Sequence, residues 1–135
     1  MVTKQQLDQF LLREFPQSSA TIDAVSELSC TVRQRIGPAQ LRPGGTVSGP
    51  VLMELADVAV YVAILAEIGL VALAVTTSLN INFLRKPSAE RDVIAICRLL
   101  KTGKSLVVGE VSLYSEGDEE PVAHAVATYS IPKQR

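Results

Sequence analysis

The chain has 135 residues, of which 47% are hydrophobic and 20% charged, with a net charge of -1 and a mean hydropathy of +0.26. Its length suits one domain with a real core, and its composition is that of a folded chain. With 13 basic against 14 acidic side chains, 4% aromatics and no Trp, it lacks the basic stripe and stacking platform that nucleic-acid binding needs.

Residues 3–15 place Leu7, Phe10, Leu11 and Phe15 on one helical stripe, and Pro16 ends the run. This predicts a short amphipathic helix lying on a sheet, so that 1–19 form a helix and lead-in and 20–132 form the core of a single domain spanning 1–135. No basic start is followed by an apolar run and a cleavage motif, and a cytoplasmic protein is expected. From Ala20 to Ile36 the pattern alternates, with Leu28, Cys30 and Val32 against Ser29, Thr31 and Arg33, and the pair Ser26-Glu27 is the expected turn between two strands. Cys30 and Cys97 are separated from each other and from His124, the one histidine, so no metal-ligand spacing exists; free buried thiols suit a reducing compartment.

The stretch Arg42 to Glu67, RPGGTVSGPVLMELADVAVYVAILAE, organises the rest. Pro43, Gly44 and Gly45 break regular structure, Ser48 is a good N-cap, and Pro50 falls in the first turn, where its missing N–H costs little. A helix is therefore expected from about Ser48 or Gly49, with Gly69 as its C-cap. From Val51 to Ala66 only Glu54 and Asp57 are charged, which predicts a buried helix and excludes an ordinary membrane span. Free N–H groups around Gly49 and Val51 would form a partly positive pocket, and Gly49, having no side chain, would admit a close neighbour. A carboxylate inside such a helix needs a reason, because an unpartnered buried charge is costly. Asp57 lies eight residues beyond Gly49, about 12 Å along a helix axis. Two groups so far apart cooperate on one atom only if they come from different subunits.

The remainder predicts four strands. Val71 to Leu84 alternates Val75, Thr77, Leu79, Ile81 and Phe83 against Thr76, Ser78, Asn80 and Asn82. Asp92 to Leu100 follows, then a Lys101-Thr102-Gly103-Lys104 turn, Leu106 to Tyr114, the acidic turn SEGDEE, and Val122 to Ile131. The sum is an α+β domain, an antiparallel sheet wrapped around a long helix. Its uncovered sheet edge and helix surface predict a homodimer, with a homotetramer as the larger assembly open to it.

That element order, with RPGGTVSGPVLMELADVA opening the helix and LNINFLRKP in the next strand, resembles the hotdog-fold acyl-CoA thioesterases, in particular the PaaI-like branch, over residues 20–132. The resemblance implies hydrolysis of a medium-chain or aromatic acyl-CoA, with no cofactor beyond the coenzyme A of the substrate. It implies that the Gly49 N–H polarises the thioester carbonyl while Asp57 of the other subunit acts as general base or nucleophile. Thr76 is the best match to the residue that places the attacking water, with Thr77 as its neighbouring alternative. The family's usual Asn falls on Arg42, its His on Ser48 and its second glycine on Pro50. Pro50 offers no N–H, which removes an oxyanion donor; Arg42 brings a permanent charge that could steady an anion, bind a phosphate or pair with Asp57. Glu54 is a second acidic candidate one turn earlier.

By charge, Arg85 with Lys86, and Lys101 with Lys104, are candidate contacts for the coenzyme A phosphates, although solvated surface cations are commoner. No GxSxG elbow accompanies His124, and GGTVSG lacks the Lys-Ser/Thr ending of a P-loop. The alternative to a thioesterase is a non-catalytic hotdog module that binds acyl-CoA or oligomerises.

Overall fold

A helix with no polar face is stable only if the chain surrounds it. In the computed structural model, which describes residues 2–133, helix α2 spans Gly49–Ile68 and is buried without interruption from Val58 to Ala66. Around it curls one antiparallel sheet of six strands, β1 (Thr21–Ser26), β2 (Ser29–Gln34), β5 (Val75–Phe83), β6 (Val93–Thr102), β7 (Leu106–Ser115) and β8 (Ala123–Ser130). Their order across the sheet is β1-β2-β6-β7-β8-β5. The expected α+β architecture is therefore present. Between β2 and α2 the expected loop holds a two-stranded ribbon of its own, β3 (Leu41–Arg42) and β4 (Thr46–Val47). Gly44 and Gly45, at φ 95° and 74°, make its turn. No described helix is long and apolar enough to cross a membrane.

The concave face of the sheet is assembled by alternation. Val93, Ala95, Cys97 and Leu99 of β6, Val107, Val111 and Leu113 of β7, and Ala123, Ala125, Ala127 and Tyr129 of β8 are all buried. Small residues let the helix come close: a Cβ at Gly109 would sit 3.3 Å from Val60 Cγ1. Helix α1 (Lys4–Glu14) closes the core with Leu7, Phe10 and Leu11, and the predicted stripe starts from a capping box at Thr3. Cys30 and Cys97 face each other across β2 and β6, both buried. The Cys30 Sγ donates to the Ala59 carbonyl of α2 at 3.1 Å. Its contact with Cys97, together with burial, pushes the Cys97 thiol upward and keeps it protonated.

Two turns differ from expectation. The β1–β2 turn is Glu27-Leu28 rather than Ser26-Glu27, with Leu28 at φ 57°. A bulky residue resists that conformation, and what holds it is Glu67 in the last turn of α2, whose Oε1 accepts the Leu28 N–H at 3.0 Å. The β6–β7 connection is shorter than predicted because β6 runs through Thr102.

Tyr129 is 3% exposed and its ring stacks on Tyr61 of α2 at 6.1 Å, and Tyr61 in turn meets the Phe15 ring, tilted, at 6.0 Å. Burial first, and then the nearby Asp57 charge, push the Tyr129 hydroxyl above its ordinary value of 10.0.

Two outcomes follow from this packing. At Gly103 an added Cβ would lie 2.8 Å from the Leu106 carbonyl oxygen, so Gly103→Ala should lower stability by about 1–3 kcal/mol in urea denaturation. Because the unfolded chain ionises Tyr129 near pH 10 and the folded chain only higher, its stability contribution is complete below about pH 10 and is lost above it. Urea midpoints taken from about pH 8 to about pH 11 should accordingly fall more steeply for the native chain than for Tyr129→Phe.

Candidate active site

The N-terminus of α2 is built as its sequence foretells. Ser48 is the N-cap, its own N–H bonds the Gln40 carbonyl at 3.0 Å, and its Oγ accepts the Val51 N–H at 3.3 Å. The Val51 N–H also reaches the Ser48 carbonyl at 3.2 Å. This corrects the expected pocket of two free donors: Val51 is consumed by the cap, Pro50 has no N–H, and only the Gly49 N–H finds no acceptor among the described residues. The missing side chain of Gly49 has a use within the chain, because a Cβ there would lie 3.3 Å from the Phe83 ring. The open space expected beside Gly49 is thus taken on that side by Phe83, at the end of β5. Arg42, in β3, is exposed, and among the described residues it makes no ion pair with Asp57.

Two turns along α2, Asp57 is half-buried where β5 and β8 cross the helix. Its Oδ1 accepts the Thr76 Oγ1–H at 2.6 Å and the Tyr129 hydroxyl at 2.8 Å. The same Tyr129 hydroxyl lies 3.0 Å from the Asp57 backbone carbonyl. Oδ2 accepts no hydrogen bond among the described residues. Thr76 itself is exposed, so the carboxylate opens toward solvent past β5.

Strict alternation would put Thr77, with Leu79 and Ile81, on the helix side and Thr76 on the outside. The β5–β8 register is broken instead between Thr76 and Ser78, which pair with the adjacent residues Tyr129 and Thr128. Thr77 is the extra residue of this bulge, and its hydroxyl donates to the Thr128 carbonyl at 3.2 Å. The bulge turns Thr76 inward, next to Asp57 and directly across from Tyr129. Glu54 is exposed and has no hydrogen-bond or ion-pair partner among the described residues.

The basic candidates lie at opposite ends of β5. Lys101 and Lys104 flank the β6–β7 turn, which the Ile131 N–H to Ser105 carbonyl bond of 2.8 Å ties to the Thr76 and Tyr129 end. Arg85 and Lys86 follow Phe83 at the Gly49 end. Arg85 is already engaged, its Nε 3.1 Å from Glu120 Oε2 and its Nη1 2.8 Å from the Pro121 carbonyl.

Tyr129 is the contact that the sequence pattern passed over. The alternation Ala123, Ala125, Ala127, Tyr129 does assign the ring to the helix side of β8, but nothing local names Asp57 as the partner, 72 residues away. Among the described residues no three His, Cys, Asp or Glu side chains converge as a metal site would require.

The thioesterase superfamily profile matches residues 44–122, a span that holds Gly49, Asp57 and Thr76. The solved structure of a candidate thioesterase from Silicibacter is 47% identical, with 98% of this chain and 94% of that one covered and a TM-score of 0.91. The fold is also shared with the phenylacetic acid degradation protein PaaI of Thermus thermophilus, at 22% identity, TM-score 0.75, and 93% and 100% coverage of the two chains. A hypothetical thioesterase of Streptococcus pneumoniae, solved with coenzyme A, gives 18% identity, TM-score 0.78, and 98% and 99% coverage. No curated protein matches the sequence. A family profile covering more than half of the chain, on a sheet wrapped about one long helix, means that this chain belongs to the thioesterase superfamily and has its hotdog fold.

Proposed function

We propose that this thioester hydrolase acts on a medium-chain or aromatic acyl-CoA, with Asp57 as general base or nucleophile and the Gly49 N–H as oxyanion donor. The observation that carries the proposal is the state of Asp57: a half-buried carboxylate with Oδ1 held by Thr76 at 2.6 Å and Oδ2 without a partner among the described residues. As a base, it takes a proton from water while the water oxygen bonds to the thioester carbon. The carbonyl electrons move onto oxygen, opposite the Gly49 N–H. Collapse of that tetrahedral species breaks the carbon–sulfur bond, and the proton leaves with the coenzyme A thiol. Thr76 has lone pairs left to orient the water. A thioester is electrophilic enough for this set to act without a metal or a further cofactor.

The distance between the two groups supports reading the site as one shared by two copies in a homodimer. Gly49 and Asp57 sit about 12 Å apart along one helix, too far to share a substrate carbonyl. Strand β5 is an edge strand of nine residues, with Val75 and Phe83 more than half exposed, and such an edge calls for cover. Laying two β5 edges antiparallel sets the Asp57 and Thr76 end of one protomer beside the Gly49 and Phe83 end of the other. The same pairing draws Arg85 and Lys86 of one copy toward Lys101 and Lys104 of the other, a basic rim for the coenzyme A phosphates; the pneumococcal neighbour solved with coenzyme A supports that ligand. Ser48 and Pro50 shape the turn, Arg42 and Glu54 stand exposed near it, and two such dimers could stack into a tetramer. Free buried thiols fit residence in the cytoplasm.

Thiol release over a panel of acyl-CoAs tests this. Asp57→Asn should lower kcat at least about tenfold on the best substrate while the dimer survives gel filtration. Unchanged turnover, or a native chain that is monomeric and fully active, rejects the proposal.

A further inference from the structure

We infer that Tyr129 is a positioning residue for Asp57: together with Thr76 it fixes Oδ1, so that Oδ2 alone is presented to the reacting water. This rests on the reading of Asp57 as the catalytic carboxylate and adds a group which that reading does not use.

The geometry is specific. A free aspartate carboxylate rotates, and either oxygen can face a ligand. Here two hydroxyls from adjacent strands meet one oxygen, at 2.6 Å from Thr76 and 2.8 Å from Tyr129, while the other oxygen takes no bond among the described residues. Hydrogen bonds to a charged acceptor are the stronger kind, so this unequal pairing selects one rotamer. Tyr129 can impose it because it is itself immobile. Its ring lies on Tyr61, four residues beyond Asp57 on α2, at an interplanar angle of 25°. The Tyr129 hydroxyl also touches the Asp57 backbone carbonyl at 3.0 Å, so it gauges the carboxylate against the helix that carries it. Burial raises the Tyr129 hydroxyl above its ordinary value of 10.0, so that at neutral pH it is a proton donor.

At 3% exposure Tyr129 has no surface for a ligand. Losing its hydroxyl should therefore reduce the rate of the chemical step and leave substrate binding alone. Tyr61→Phe is the matched control, since it removes a hydroxyl from the same aromatic stack without touching Asp57.

The test is steady-state thiol release from the acyl-CoA that the native dimer hydrolyses fastest, for Tyr129→Phe, Tyr61→Phe, Asp57→Asn and the Asp57→Asn/Tyr129→Phe double variant. We expect Tyr129→Phe to unfold cooperatively, to keep KM within about twofold and to lose about tenfold in kcat. Tyr61→Phe should keep the native kcat, and in the Asp57→Asn background Tyr129→Phe should change the residual rate by less than about twofold. A native kcat in Tyr129→Phe with Asp57→Asn inactive overturns this inference and leaves the role of Asp57 standing. So does an equal loss in both backgrounds, an equal loss in Tyr61→Phe, or a Tyr129→Phe chain that no longer unfolds cooperatively, since the hydroxyl would then be a strut of the fold. Full activity in Asp57→Asn removes both.

Discussion

Everything distinctive about this protein depends on one carboxylate carried by a helix that the rest of the chain is built to hide. The sheet exists to cover α2, whose residues from Val58 to Ala66 are all buried. Asp57 is the last residue before that buried run, at the place where cover gives way to an open edge. An ionised group in such a position needs partners, and it gets them from two strands that are remote in sequence and adjacent in space. The pair Thr76 and Tyr129, facing each other across β5 and β8, is aligned by the bulge at Thr77. A one-residue irregularity in an edge strand thus decides which threonine meets the acid, as expected of bulges that re-aim side chains beside functional groups.

The same economy governs the helix start. A cap that binds the Val51 N–H to both oxygens of Ser48, followed by a proline, leaves the Gly49 N–H as the donor without an acceptor among the described residues. On the proposed reading an oxyanion here is held by a single N–H, less firmly than by two, and the already activated electrophile of a thioester suits such a site. Phe83 lies against Gly49 and is itself 53% exposed. It therefore stands at the mouth of the same N-terminus and is well placed to border whatever approaches the donor.

The edge strand joins these local facts. Thr76 and Phe83 are seven residues apart on β5, about 24 Å in an extended strand. Asp57 and the Gly49 N–H therefore lie toward opposite ends of β5, and the proposed site would need a second copy, running the other way, to bring them together. On the proposed reading, a site divided in this manner would couple activity to assembly.

Much of this was legible in the residues alone. The buried helix, its Ser48 cap, its Gly69 stop, the amphipathic first helix and the alternating strands are written in periodicities of a few residues, because local hydrogen bonding and the side of a strand or helix are set by near neighbours. The resemblance singled out Thr76, with Thr77 as its alternative, for placing a water, but no periodicity showed that Thr76 bonds Asp57, and plain alternation would have put Thr77 rather than Thr76 on the helix side. The inward turn of Thr76, the clasp of Tyr129, the capture of the Val51 N–H and the ring of Phe83 against Gly49 were decided by the tertiary structure. Each depends on register between strands far apart in the chain, which is fixed by how the whole sheet packs on the helix and leaves no short-range trace.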